Sequence, residues 1–228
     1  MTLEEFQAQL EDEKSWREED IRFYNNLQAR LNNDNDRFRL RRSIVCMFYA
    51  HIEGFVYSSF SLYAESINSL GLKCKEVKPA IAAATLSDEF LALKNPAKKS
   101  TLFKRALPDD AKLHRICRET EFIEHSLLLQ ERIVKIPKKY INTESNVGSD
   151  VLRKLLYQMG LNHEDSEIIR SELNQLLVIR NDIAHGKSKE GINNVQYERF
   201  KECFYEILSR LSNLIVRSFI NKDFMMEI

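Results

Sequence analysis

Arg180, Asn181 and His185 lie in the run Arg180-Asn181-Asp182-Ile183-Ala184-His185-Gly186 and have the side chains best suited to chemistry on a phosphate. The planar donor fork of an arginine matches two phosphate oxygens and can hold the charge that builds up during phosphoryl transfer. Asn181 can donate and accept hydrogen bonds, so it can orient a phosphate or the imidazole. His185 is the side chain most able to exchange a proton near neutral pH, which makes it the candidate general acid or base. The competing reading of the same residues is a polar network closing the end of a packed helix. Asn181 and His185 are four apart and share a helix face, whereas Arg180 and His185 are five apart, roughly 140° around the axis. One helix therefore leaves the site open. A partner helix, a frayed last turn or a second subunit must complete it.

The positioning element is an apolar helix over 164–185, carrying Ile168, Ile169, Leu173, Leu176, Leu177, Val178 and Ile179 and stopped by Gly186. With only 6 Gly and 4 Pro in 228 residues, the whole chain reads as all-α. A first helix over 3–31 has a packed stripe of Phe6, Leu10, Trp16, Ile21, Tyr24, Leu27 and Leu31, ended by the polar run Asn32 to Asp36. The next spans about 37–70, is apolar around much of its circumference between Ile44 and Phe60, and is the candidate central helix. Residues 72–107 resist assignment beyond a patch at Ala80 to Ala84 and a short helix from Ser87 to Leu93. A helix over 109–133 uses Leu113, Ile116, Phe122, Ile123 and Leu127 before Pro137 interrupts the pattern. Lys138 to Gly148 reads as an exposed connection, followed by helices near 149–159 and 195–220. The chain is expected to form a single domain over 1–228, with a helical extension at about 1–35.

The remaining polar residues carry weaker signals. Arg118 and His125 lie seven apart on one helix face, but Glu119 beside them would repel a phosphate, so they read as structural. His51 and Glu53 are two apart, which is wrong for a metal pair on a helix, and suits buried support of a core or cleft. His114 and His163 have no evident ligand set, so neither a metal nor a cofactor is expected. Cys46, Cys74, Cys117 and Cys203 lack paired spacing and read as reduced thiols. Charge is balanced, 34 basic against 34 acidic side chains, which argues against a nucleic-acid coat protein but not against a basic cleft. Two basic runs, Lys94, Lys98, Lys99, Lys104 and Arg105, then Arg132, Lys135, Lys138 and Lys139, read as solvated faces before RNA guides. Arg37, Arg39, Arg41 and Arg42 are expected to brace the start of the central helix. Tyr140 and Tyr157 are assigned to core packing, with base stacking as the alternative. An acidic N-terminus without a signal, and no apolar span of about 20 residues, lead to the expectation of a cytoplasmic protein without membrane contact.

The arginine, short spacer, histidine run resembles the motif of the HEPN superfamily, and Arg180-Asn181-x-x-x-His185 is the spelling of its RNA-cleaving members. More narrowly, the chain resembles the MAE_28990/MAE_18760-like HEPN nucleases. The likeness includes Tyr49-Ala50-His51-Ile52-Glu53-Gly54-Phe55, Thr143-Glu144-Ser145-Asn146 and Leu155-Leu156-Tyr157-Gln158-Met159-Gly160-Leu161, and it covers roughly 40–215. This resemblance implies a HEPN-like helical bundle with long helices and additional peripheral helices. It implies metal-independent cleavage of single-stranded or structured RNA by 2'-hydroxyl attack, with Arg180, Asn181 and His185 as site residues and no cofactor. It also implies a homodimer that brings two motifs into one cleft, with a protein antitoxin or defence partner in toxin-antitoxin control or antiviral defence. Asp182 is expected to take structural or solvent contacts, since an acid beside phosphate is unfavourable. Lys187 stands where a related motif has tyrosine, which weakens regulation by nucleotide transfer onto that position. The alternatives are a non-catalytic HEPN module that binds RNA or nucleotide, and a structural helical assembly protein.

Overall fold

Capping explains where the long helices begin. The Thr2 hydroxyl accepts the Glu5 N–H while the Glu5 carboxylate accepts the Thr2 N–H, which starts α1 over Leu3–Ala29. The Asn33 side chain accepts the Asn35 N–H and starts α2 over Asp34–Ser69. This start is three residues earlier than the apolar pattern suggests, because Asp34 and Asp36 favour the positive end of the helix dipole. The computed structural model describes residues 1–100, 103, 111–164, 167 and 170–226, apart from the side chains of Ser126 and Leu127. Lys104, Arg105, Ile168, Ile169 and the Leu127 side chain therefore lie outside the described residues.

The protein is all-α, and among the described residues the only β pairings are isolated bridges, Lys73 with Ile133 and Val77 with Met225. As the apolar run predicts, α2 is the central helix, burying Ile44, Val45, Phe48, Ile52, Phe55, Val56 and Phe60. It is flanked by α1, by α7 (Arg170–Ala184) and by α8 (Asn194–Ile220), whose start is fixed by reciprocal Asn193 and Gln196 hydrogen bonds. Phe6, Leu10 and Ile21 of α1 are fully buried in this core, but Trp16 and Leu27 of the expected stripe are 47% and 41% exposed. Trp16 instead covers Arg17, whose guanidinium lies 4.4 Å from the indole centroid.

Between α2 and α6 (Ser149–Gln158) lie a 3-10 turn at Cys74–Glu76 and the peripheral helices α3 (Pro79–Thr85), α4 (Ser87–Lys94) and α5 (Ala111–Gln130). Pro79 opens α3 at a position whose missing N–H costs nothing. Residues 138–148 are an exposed connection only in part, since Lys138, Lys139, Asn142 and Glu144 to Asn146 are exposed but their neighbours are not. They form a 3-10 turn at Lys138–Tyr140 and bury Ile141 and Val147, whose apolar side chains anchor a polar loop between them. Tyr157 is 63% exposed and not a core residue, because Leu152, Leu155 and Leu156 define the buried face of α6 and position 157 falls opposite it. Tyr140 does pack against the core.

Candidate active site

The last turn of α7 separates Arg180 from His185. The His185 N–H still bonds to the Asn181 carbonyl at 2.9 Å, but Gly186 adopts φ 68°, and the Lys187 N–H turns back to the Asp182 carbonyl at 2.8 Å. A left-handed residue just past a helix end satisfies the orphan carbonyls, and glycine adopts it without steric cost. His185 is left in the turn, exposed, with no side-chain partner among the described residues. Asn181 and Asp182 are half-buried beside it.

The chain beyond the motif is fastened to the start of α2. Arg42 donates to the Lys189 carbonyl at 2.9 Å and the Ile192 N–H donates to the Phe38 carbonyl at 3.2 Å. Gly191 is required there, since a Cβ would lie 2.4 Å from Phe38 Cβ. Arg41 ties the same corner by donating to Gln28 at 2.7 Å and Asn194 at 2.8 Å, and Arg37 donates to the Leu31 carbonyl at 2.8 Å. These three arginines brace α2.

Arg180 faces α2. Its guanidinium lies 4.2 Å from the Tyr49 ring centroid, and its Nη2 donates to the Ser145 carbonyl at 3.2 Å and to Asn146 Oδ1 at 3.3 Å. Glu53 Oε2 is 3.8 Å away, with both side chains about a quarter exposed, 22% and 24%. Such a pair contributes little to stability, but it orients the arginine. Cys46, Tyr49 and Glu53 lie on one stripe of α2, the one turned to Arg180. Burial pushes the Tyr49 hydroxyl up, opposed by Arg180, and burial likewise pushes the Cys46 thiol up, opposed by Arg180 and Arg42. Thr143 Oγ1 donates to Glu53 at 3.3 Å and the Tyr49 hydroxyl to the Val147 carbonyl at 3.3 Å, so the loop and α2 are held as one wall. Gly148 lets the chain pass close to α7, where a Cβ would sit 3.2 Å from both Asn174 Oδ1 and Leu177 Cδ2. Asn174 then accepts the Ser149 N–H at 3.0 Å and seats α6.

Glu53 thus meets Arg180, and His51 does not. Two residues of helix turn the side chain roughly 200°, and His51 is buried on the α1 side, 2.8 Å from Asp20. Arg118 is also structural. It is buried and donates to the Leu93 carbonyl at 3.2 Å and the Lys98 carbonyl at 2.7 Å, while His125 donates to the Glu121 carbonyl at 2.6 Å. A cavity of about 540 Å³ between α4 and α5 touches both residues. With two carbonyls already on Arg118, this cavity is a poor phosphate site. His114 is buried and accepts the Ser100 N–H at 3.2 Å; His163 meets the Tyr157 ring edge-on.

In the second basic run Arg132 pairs with Glu89, Lys138 with Glu65 at 2.9 Å and Lys139 with Asp88 at 2.8 Å, which largely cancels its field. The four cysteines are free thiols. Among the described residues no three His, Cys, Asp or Glu side chains converge as a metal site, and no helix is long and apolar enough to cross a membrane. Sequence reasoning passed over Tyr49 and Ser145 as arginine holders. The left-handed pair at Glu144 and Ser145 that aims the Ser145 carbonyl has no sequence signal, since neither residue is glycine.

A helical bundle in which an Arg-Asn-x-x-x-His run ends a helix packed on a long central helix is of the HEPN class. Residues 12–221 match the RiboL-PSP-HEPN family, and the chain belongs to it. The match bears out the HEPN resemblance read from the motif, under a different family heading from the MAE_28990/MAE_18760-like one. No match is found among curated proteins or among solved structures.

Proposed function

We propose that this protein is an endoribonuclease that cleaves single-stranded RNA without a metal, in toxin-antitoxin control or antiviral defence. The observation that carries the reading is the pairing of an oriented arginine, backed by Tyr49 and Glu53, with an exposed histidine whose imidazole is unengaged among the described residues, at the motif end of α7 in a HEPN chain. The substrate's 2'-hydroxyl loses its proton to one imidazole and its oxygen bonds to the adjacent phosphorus. The bond from phosphorus to the 5'-oxygen breaks, and a second protonated group delivers a proton to that oxygen. The products are a 2',3'-cyclic phosphate and a 5'-hydroxyl. Arg180 stabilises the charge on the phosphoryl oxygens, and Asn181 orients the phosphate or His185.

One His185 cannot be base and acid in the same step. Two copies can, and the outward position of His185 suits a symmetric homodimer across the α7 ends. A second reading is a non-cleaving module that binds RNA or nucleotide, favoured by Glu53, which offsets part of the Arg180 charge.

The test is single-turnover cleavage of one RNA with and without a 2'-deoxy substitution at the cut, in excess chelator, with both product ends identified and solution mass measured in parallel. Cleavage of the ribose linkage alone, with cyclic phosphate ends and a dimeric mass, is expected. RNA binding with no cleavage selects the second reading. Efficient cleavage of the deoxy linkage, or activity restored only by a divalent metal, refutes internal attack.

A further inference from the structure

Asn146 reveals which end of its amide is free. A guanidinium offers only donors, so the Asn146 atom 3.3 Å from Arg180 Nη2 is the carbonyl oxygen. Its NH2 group therefore remains available, on an exposed residue beside the arginine. The loop is built to hold this orientation. Glu144 and Ser145 adopt φ 55° and 54°, a left-handed conformation disfavoured for non-glycine residues. It is sustained by the Glu144 N–H on Asn142 Oδ1 at 2.8 Å, the Asn146 N–H on the Thr143 carbonyl at 3.1 Å, the Lys154–Glu144 ion pair and the buried Val147. The result aims the Ser145 carbonyl and the Asn146 oxygen at one nitrogen, Nη2. Neither of these two contacts uses Nε or Nη1 of Arg180.

We infer that Asn146 is a substrate-binding residue: its amide NH2 donates to a non-bridging oxygen of the RNA phosphate that Arg180 grips. The inference rests on the endoribonuclease reading. It adds to the motif residues an amide from a separate loop, and it gives the strained loop a task beyond bracing the arginine.

Asn146→Asp separates a donor from a mere holder of Arg180. The carboxylate keeps an acceptor for the guanidinium, so a holding role makes Asp at least as good as Ala. A donating role makes Asp worse, because it removes the N–H groups and sets a negative charge against the phosphate. Binding is read with a single-stranded RNA carrying 2'-O-methyl riboses throughout, which cannot undergo internal attack, and cleavage with the unmodified strand. Asn146→Ala should weaken binding about tenfold, as expected for one hydrogen bond to a charged group, and Asn146→Asp about tenfold further. Asn146→Gln, which keeps the amide, should bind more tightly than Asn146→Ala. Asp binding as well as or better than Ala, or Gln binding no better than Ala, overturns the assignment while wild-type cleavage stands. Wild-type protein that neither cleaves nor binds RNA removes the endoribonuclease reading and this inference with it.

Discussion

Replacing Arg180 with alanine should separate what this residue does for the fold from what it does for turnover. In the fold it makes two hydrogen bonds of 3.2 and 3.3 Å from one nitrogen, a ring contact with Tyr49 and a partly exposed ion pair with Glu53. Net contributions of that kind sum to about 1–2 kcal/mol. A domain with stability near the low end of the usual range, about 5 kcal/mol, would retain about 3 kcal/mol and stay about 99% folded. Losing a preorganised charge at the transition state costs about 2.7–4 kcal/mol, or roughly a hundredfold to a thousandfold in rate. Urea unfolding of wild type and variant gives the first quantity, and single-turnover cleavage of a labelled RNA by folded protein gives the second. Arg118→Ala is the matched control. It removes a buried guanidinium that ties two carbonyls of the α4 region, so it should lose about 2–3 kcal/mol of stability and leave cleavage per folded molecule unchanged. Cleavage by Arg180→Ala within tenfold of wild type would refute the catalytic assignment. Equal loss of cleavage in the two variants would show that the assay follows folding.

Gly191→Ala should lower stability by about 1–3 kcal/mol, read as a lower urea midpoint, because the new Cβ would lie 2.4 Å from Phe38 Cβ and force the motif loop off α2; an unchanged midpoint would contradict that close approach. Burial pushes the Cys203 thiol up to about 12, so at pH 8 it stays protonated and unreactive while half-buried Cys46 is alkylated first, as peptide mass mapping of the native protein should show. The same shift makes stability fall as pH rises from about 8.5, where the unfolded thiol ionises, towards 12, where the folded one does. Rapid native labelling of Cys203, or no alkaline loss attributable to it in a Cys203→Ala comparison, would overturn that account.

The order of helices was legible in local chemistry. The apolar run from Ile44 to Phe60 marks a helix buried on most sides, and Gly186 marks the end of α7, because burial and left-handed caps leave strong local patterns. The Arg180, Asn181 and His185 run stands out by side-chain chemistry and spacing, which also give the five-residue offset that keeps its two ends on different sides of the helix. Tertiary structure decided which way each end faces and what holds it. Position 53 meets Arg180 because α2 packs on α7 with that face turned inward, while position 51, two residues earlier, is turned to Asp20 of α1. The loop over 142–146 reads as polar and exposed, yet Ile141 and Val147 sink on either side of it and deliver the Ser145 carbonyl and the Asn146 amide to the guanidinium. The basic run at Arg132, Lys138 and Lys139 reads as a positive face until its partners Glu89, Glu65 and Asp88 arrive from other helices. A sequence sets periodicity and side-chain chemistry along one chain, but pairings between residues 31 or more positions apart depend on how the helices cross, and only the packed structure fixes that.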